Sequence, residues 1–528
     1  MNKRFTDSWL QINAERRIRR RAAGFTLVEM LVAMAVTLIL IFALSQAFAI
    51  VGESVSQGRA VIELQGRLRS AANQLQQDLG GITVPLLPWI DDAAGLGYFE
   101  ILEGVGHDRN PLPTLPTSPT VGERSVPDMY GDIDDILAFT ARVKQGTFIG
   151  IQAVYDTATT SWNYLTQQSS TAEIVYFTRF EDRDGDAIPG LGEVTLHRRV
   201  FLIRPELGVL KTGITAATAL TELMDYQSRS DISGRLQASG AGYVIVANSL
   251  ADLTRRESRF GHWPGGATPF PYPFRRALLL PKGSIWSGDP ATATQRGWLG
   301  TDDDLNGTAD DLSELGWFGS DDRLDYTTVA VGIGEDVVLS DLLAFDVQVF
   351  DSKARVKRLD TLAGDALIPD DSGWWDTNAV TIGQGAFVNL NYANYIDPAN
   401  ANTVWNDSNP LGHTNRWSHF SGPPAYRMVS GNVRYLGVPV LWTFGTGYCT
   451  WSMHYERNGV DEDGDGLIDE GTNGFDDDNV NGVDDVGERE TSPPYPVPLR
   501  GLQVKLRVWD PDSRQVRQVS VVSNFVPE

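Results

Sequence analysis

The amino-acid sequence predicts an α+β protein in which one long N-terminal helix, transmembrane and then amphipathic, packs on an antiparallel sheet of a large, loop-rich head. Three observations carry this. An apolar run near the N-terminus continues into a one-sided apolar stripe at helical spacing. Further on, short runs of alternating apolar and polar residues read as strands. The 52 Gly and 27 Pro among 528 residues favour turns and strands over further long helices.

Composition narrows the function classes. A chain that is 42% hydrophobic with 14 Trp is not disordered as a whole. Its length suits one large elaborated domain or two to three ordinary ones. The net charge of −24 repels phosphate backbones, so no nucleic-acid partner is expected. Cys449 is the only cysteine, which excludes an internal disulfide and a multi-cysteine zinc site. It reads as a small buried apolar residue.

The elements follow in order. Residues 1–24 carry Lys3, Arg4, Arg16, Arg17, Arg19, Arg20 and Arg21 against Asp7 and Glu15. Residues 25–51 contain one charge, Glu29, and as a helix rise about 40 Å, enough to cross a bilayer with tilt. The positive-inside rule puts residues 1–24 in the cytoplasm and the chain after about Val51 outside. Val61, Leu64, Leu68, Ala71, Leu75 and Leu79 then recur at steps of three and four, and Gly80-Gly81 with Pro85 ends the helix. Residues 81–130 include Pro111, Pro113, Pro116, Pro119 and Pro127 and read as a Pro-rich loop or linker. Residues 131–528 form the head. Within it, Glu173–Phe180 and Val194–Arg204 read as two strands of a hairpin, and Leu342–Phe350 as another strand. Leu502, Val504, Leu506 and Val508 alternate with Gln503, Lys505 and Arg507 before a turn at Pro511-Asp512-Ser513 and a return over Val516–Val522.

The run Gly24-Phe25-Thr26-Leu27-Val28-Glu29, after a basic leader and before an apolar helix, resembles the type IV pilin-like N-terminal motif shared by pilins and type II secretion pseudopilins. The resemblance implies that a prepilin peptidase cleaves after Gly24 and N-methylates Phe25. It also implies partners: other pilin-like subunits through the N-terminal helix, in the inner membrane, with the head in the periplasm. Glu29 is the family's Glu at the fifth position of the mature chain. A carboxylate in a bilayer costs on the order of 3 kcal/mol, so it needs a partner or a task. The cationic amine of Phe25 on a neighbouring subunit would neutralise it and set the register of a filament.

A second feature is a set of acidic loops. Residues 458–490 hold nine Asp and four Glu against one Arg. Calcium loops of the EF-hand type need oxygen ligands at alternate positions and a Gly at the sixth. Asp461, Asp463, Asp465, Leu467 (through its carbonyl) and Asp469 fit around Gly466, with Thr472 at the twelfth position. Asp477, Asn479, Asn481, Val483, Asp485 and Glu488 fit around Gly482. Weaker matches are Asp302, Asp304, Asn306, Thr308 and Asp310, and Asp182, Asp184, Asp186 and Glu193. With no amphipathic helices flanking them, these resemble the free-standing calcium loops of secreted bacterial proteins, and calcium is the expected cofactor.

No GxSxG, Walker A or HExxH pattern is present, and the six His are scattered. The expectation is a non-enzymatic assembly subunit, a minor pseudopilin of a type II secretion-like system at or near a pseudopilus tip. A minor type IV pilin for adhesion, motility or DNA uptake, or a membrane-anchored exported enzyme or carbohydrate-binding protein, suits the same N-terminus.

Overall fold

The computed structural model describes residues 26–103, 131–156 (134 apart), 161–180, 191–260 (217 apart), 337–359, 446–459 and 495–525 (512 apart), with shorter pieces between 366 and 392, at 419–420 and between 468 and 493. The chain divides into two compact units, Met1–Val61 and Ile62–Glu528.

The described elements begin with helix α1 (Leu27–Leu79), which spans the boundary between the units. Strands follow as β1 (Trp89–Ile90), β2 (Phe99–Glu103), β3 (Ile136–Arg142), β4 (Phe148–Asp156), β5 (Ser161–Ser169), β6 (Thr171–Phe180), β7 (Val194–Leu202) and β8 (Val209–Ile214). After helix α2 (Ala219–Arg229) come β9 (Gly234–Ser239), β10 (Gly242–Ala247), β11 (Val337–Leu339), β12 (Leu342–Leu359), β13 (Ala379–Val388), β14 (Thr446–Cys449), β15 (Trp451–Ser452), β16 (Gly501–Asp510) and β17 (Gln515–Asn524).

Two antiparallel sheets frame the larger unit. One is six-stranded in the order β11-β7-β6-β3-β2-β14, the other four-stranded in the order β13-β12-β16-β17. The two hairpins expected from alternation are both present. β6 pairs with β7 through Phe177↔His197, and β16 pairs with β17 through Val504↔Val521. Alternation also sets which residues go inward: Leu502, Val504, Leu506 and Val508 are buried, whereas Gln503, Lys505 and Arg507 are half-buried.

The second half of α1 packs as its stripe predicts. Leu64, Leu68, Ala71, Leu75 and Leu79 are buried in one core cluster with Ile101, Phe139, Ile174 and Tyr176 of the first sheet and Phe345, Val347, Val504 and Leu506 of the second. Each fully buried Leu contributes on the order of 1.5–3 kcal/mol. A polar clamp fixes the last turn. Arg198 on β7 donates from Nε and a terminal nitrogen to Asp78 at 2.7 and 2.9 Å, and the Tyr176 hydroxyl donates to Asp78 at 2.6 Å. The helix stops where its backbone meets β3. A Cβ on Gly81 would lie 2.6 Å from the Arg142 carbonyl oxygen, so only glycine fits there.

The stretch 81–130, expected as linker, departs from that reading. Its residues Phe99–Glu103 form β2, a fully buried interior strand between β3 and β14. Buried on both faces, β2 lacks the alternation by which strands are read. Cys449 is buried on β14 as expected, and burial pushes its thiol up to about 11.

Candidate functional site

The N-terminal turn of α1 has defined geometry. Thr26 stands just before the helix, and its backbone N–H and hydroxyl donate to Glu29 Oε2 at 2.8 and 3.0 Å. The Glu29 N–H returns a bond to Thr26 Oγ1 at 3.2 Å. This is a reciprocal capping box, in which Thr and a Glu three residues later satisfy helix N–H groups that have no partner within the helix. The carboxylate also sits at the positive end of the helix dipole. The capping role was legible as Thr-x-x-Glu before an apolar run and lay hidden behind the charge argument made for Glu29. Gly24 and Phe25 lie outside the described residues. From Leu27 to Arg59 every residue is exposed, and α1 is long and apolar enough to cross a membrane.

Most of the acidic-loop residues also lie outside the described set: Asp461, Asp463, Asp465, Leu467, Asp477, Asn479, Asn481 and Asp485, with Asp302, Asp304, Asn306, Thr308, Asp310, Asp182, Asp184 and Asp186. Four are placed. Glu193 is buried at the base of β7, Glu488 is buried, Val483 is exposed, and Asp469 is half-hidden on a left-handed backbone at φ 52°. The Asp469 carboxylate accepts from the Gly459 N–H at 2.9 and 3.0 Å.

The same lock recurs. Gly474 N–H donates to Asp484 at 2.8 Å, and Asp484 too is left-handed at φ 55°. The equivalence pairs Asn458-Gly459-Val460-Asp461 with Asn473-Gly474-Phe475-Asp476, a short tandem repeat that spacing rules for calcium loops did not reveal. It makes Asp484, rather than the Asp485 of the ligand count, the counterpart of Asp469. The second loop therefore carries one extra residue before its Gly482.

The structure also brings together three acids that no sequence spacing connects. Glu103 at the end of β2, Asp132 and Asp135 are fully buried, with carboxylate oxygens within 4.8 Å of one another. Leu390 N–H donates to Glu103 Oε2 at 3.1 Å and Val347 N–H to Asp135 Oδ2 at 2.7 Å. Their proximity comes from strand register, which links residues far apart in the chain.

Comparison with known families decides the N-terminal segment. Residues 19–45 match the prokaryotic N-terminal methylation motif, the prepilin-type signal, and the match ends inside the exposed apolar part of α1. The N-terminal module is type IV pilin-like. A prepilin-type motif of this kind is the substrate of prepilin peptidase and the assembly element of pilin-like subunits, and its apolar helix is consistent with single-pass anchoring in the inner membrane. No curated protein and no solved structure matches the chain.

Proposed function

We propose that the protein is a non-enzymatic assembly subunit, a minor pseudopilin of a type II secretion-like system. Prepilin peptidase removes residues 1–24, and the mature subunit enters a pseudopilus at or near its tip. The observation that carries this is the methylation motif continuing into an exposed apolar helix whose second half is built into a large β-rich unit. A unit of this bulk suits a terminal position better than repetition along a tightly packed shaft. In this reading the leader stays cytoplasmic and the head lies in the periplasm, an orientation that the basic leader supports.

Calcium is part of the same proposal. The loop residues from Asp461 to Glu488 are oxygen donors throughout, the set a hard cation takes, and millimolar extracellular calcium fills even weak sites of this kind. Chelation by EDTA is expected to lower the melting temperature and open residues 458–490 to protease. Unchanged melting and cleavage in EDTA would remove the metal from the account. Depletion of the subunit is expected to block export of secreted enzymes while leaving pilus-dependent adhesion and twitching intact. The opposite pattern would make it a minor type IV pilin.

A further inference from the structure

The two framing sheets have four edges, and three of them carry a safeguard against further pairing. β11 and β14 are short, Val337–Leu339 and Thr446–Cys449. β13 is longer, but its register with β12 shifts twice. Short strands and irregular ladders keep a sheet edge from pairing with other chains. β17 has neither device. It pairs with β16 without a break from Gly501↔Asn524 to Asp510↔Gln515, and among the described residues no strand lies on its other side. Its residues Gln515–Asn524 include four Val and no Pro or Gly, a composition that suits a strand.

Two backbone bonds show which way its polar groups point. Phe525 N–H donates to the Arg500 carbonyl at 2.9 Å, which continues the ladder with β16. Trp509 N–H donates away from β17, to the Asp341 carbonyl at 2.9 Å. Residues of an antiparallel pair alternate between hydrogen-bonded and non-hydrogen-bonded positions. Val516, Gln518, Ser520, Val522 and Asn524 therefore turn their N–H and C=O groups outward, and all five are exposed. The alternate residues Arg517, Val519 and Val521 lie opposite Val508, Leu506 and Val504, on the core side of the sheet. Along that row burial falls from Val521, which is buried, through half-buried Val519 to exposed Arg517.

Charge selects the partner. In a chain of net charge −24, the stretch Arg514–Asn524 holds two Arg, both exposed, and no acid. We propose that β17 receives an extended acidic segment of another polypeptide, added as a fifth strand of this sheet. On the core side the incoming strand sets apolar residues beside Val521 and Val519 and a carboxylate beside Arg517, so the segment that fits alternates two apolar positions with one acidic position at the Arg517 end. A second copy of the chain fits poorly, because it brings Arg514 and Arg517 to an edge that already carries them. The surface belongs to the head and does not depend on how the N-terminus is processed.

Site-specific photo-crosslinking in membranes of the native host tests this. The full chain carries p-benzoylphenylalanine in place of Gln518, and the linked peptide is sequenced by mass spectrometry. The expected product joins position 518 to one defined segment of another protein, with Asp or Glu in the alternating pattern. Ser520→Pro removes an outward N–H and leaves the ladder to β16 intact, whereas Arg517→Glu reverses the charge at an exposed position. Each is expected to cut the yield of that product at least about 10-fold. Arg517→Glu should do so with head melting unchanged, which keeps the test valid if Ser520→Pro fails to fold. A product that links two copies of this chain, a linked segment without acids, a yield indifferent to Arg517→Glu, or no defined product would overturn the proposal. An unprocessed N-terminus would defeat the pseudopilin reading without removing this edge.

Discussion

Helix α1 carries a carboxylate near each end, and the two are held in opposite ways. Glu29 is exposed and bonds to the start of its own helix through Thr26. Asp78 is buried and bonds outward, to Arg198 and Tyr176 of the sheet. The same split runs through the apolar residues: Leu38 is 67% exposed and Leu75 1%. One helix thus joins a segment shaped for surroundings outside the chain to a segment that is part of the core. Substitutions should act on one function or the other according to which side they fall.

The largest effect is expected at Asp78. Asp78→Ala leaves a half-buried Arg198 and a buried Tyr176 without their anion, and a loss of about 3–5 kcal/mol in denaturant unfolding of the head is expected. A loss under 1 kcal/mol would mean that the clamp is open to water. Leu75→Ala removes a side chain from the cluster shared by both sheets and should lower stability by about 2–5 kcal/mol.

Glu173 adds a pH-dependent version of the contrast. It is fully buried on β6 and accepts from the Tyr98 hydroxyl, the Ser233 hydroxyl and the Phe260 N–H at 2.7, 2.7 and 2.8 Å. Burial pushes its carboxyl above the ordinary Glu range, against the lowering effect of these donors and of Arg259. The sign follows from which state releases its proton first. Below the ordinary Glu value both states are protonated and the full stability is present. As pH rises the unfolded chain ionises first, so stability falls until the folded carboxyl ionises too. Melting curves from about pH 4 to pH 8 should therefore show wild type losing stability relative to Glu173→Gln. Parallel curves would show that Glu173 makes no pH-dependent contribution.

Smaller effects belong to the exposed half. Thr26→Ala should weaken the helix start by roughly 0.5–2 kcal/mol, visible as faster amide exchange at 27–30 with no change in head melting. Leu38→Ala should leave head stability within about 0.5 kcal/mol of wild type. A clear drop in head melting from Leu38→Ala would break the division of α1 into two roles.

Legibility in the sequence followed the physics of each element. The helix was readable because its stripe has a strict period, and Leu64, Leu68, Ala71, Leu75 and Leu79 are all buried as that period requires. The β6–β7 and β16–β17 hairpins were readable because alternation and a nearby turn specify local pairing. Strand β2 was missed because burial on both faces erases alternation and neighbouring prolines suggested a loop. The Glu103–Asp132–Asp135 cluster was missed because register alone assembles it. The Gly459–Asp469 and Gly474–Asp484 locks were partly visible as repeated Asn-Gly, but a template that counts oxygen ligands does not look for a backbone N–H held by an Asp ten residues on.

The central claim, that this is a processed pilin-like subunit, is tested most directly by mass mapping of the N-terminal peptide from membranes of the native host. The account predicts a mature chain that starts at N-methylated Phe25, with residues 1–24 gone. A chain that keeps Met1, or one cut elsewhere and left unmethylated, would contradict it.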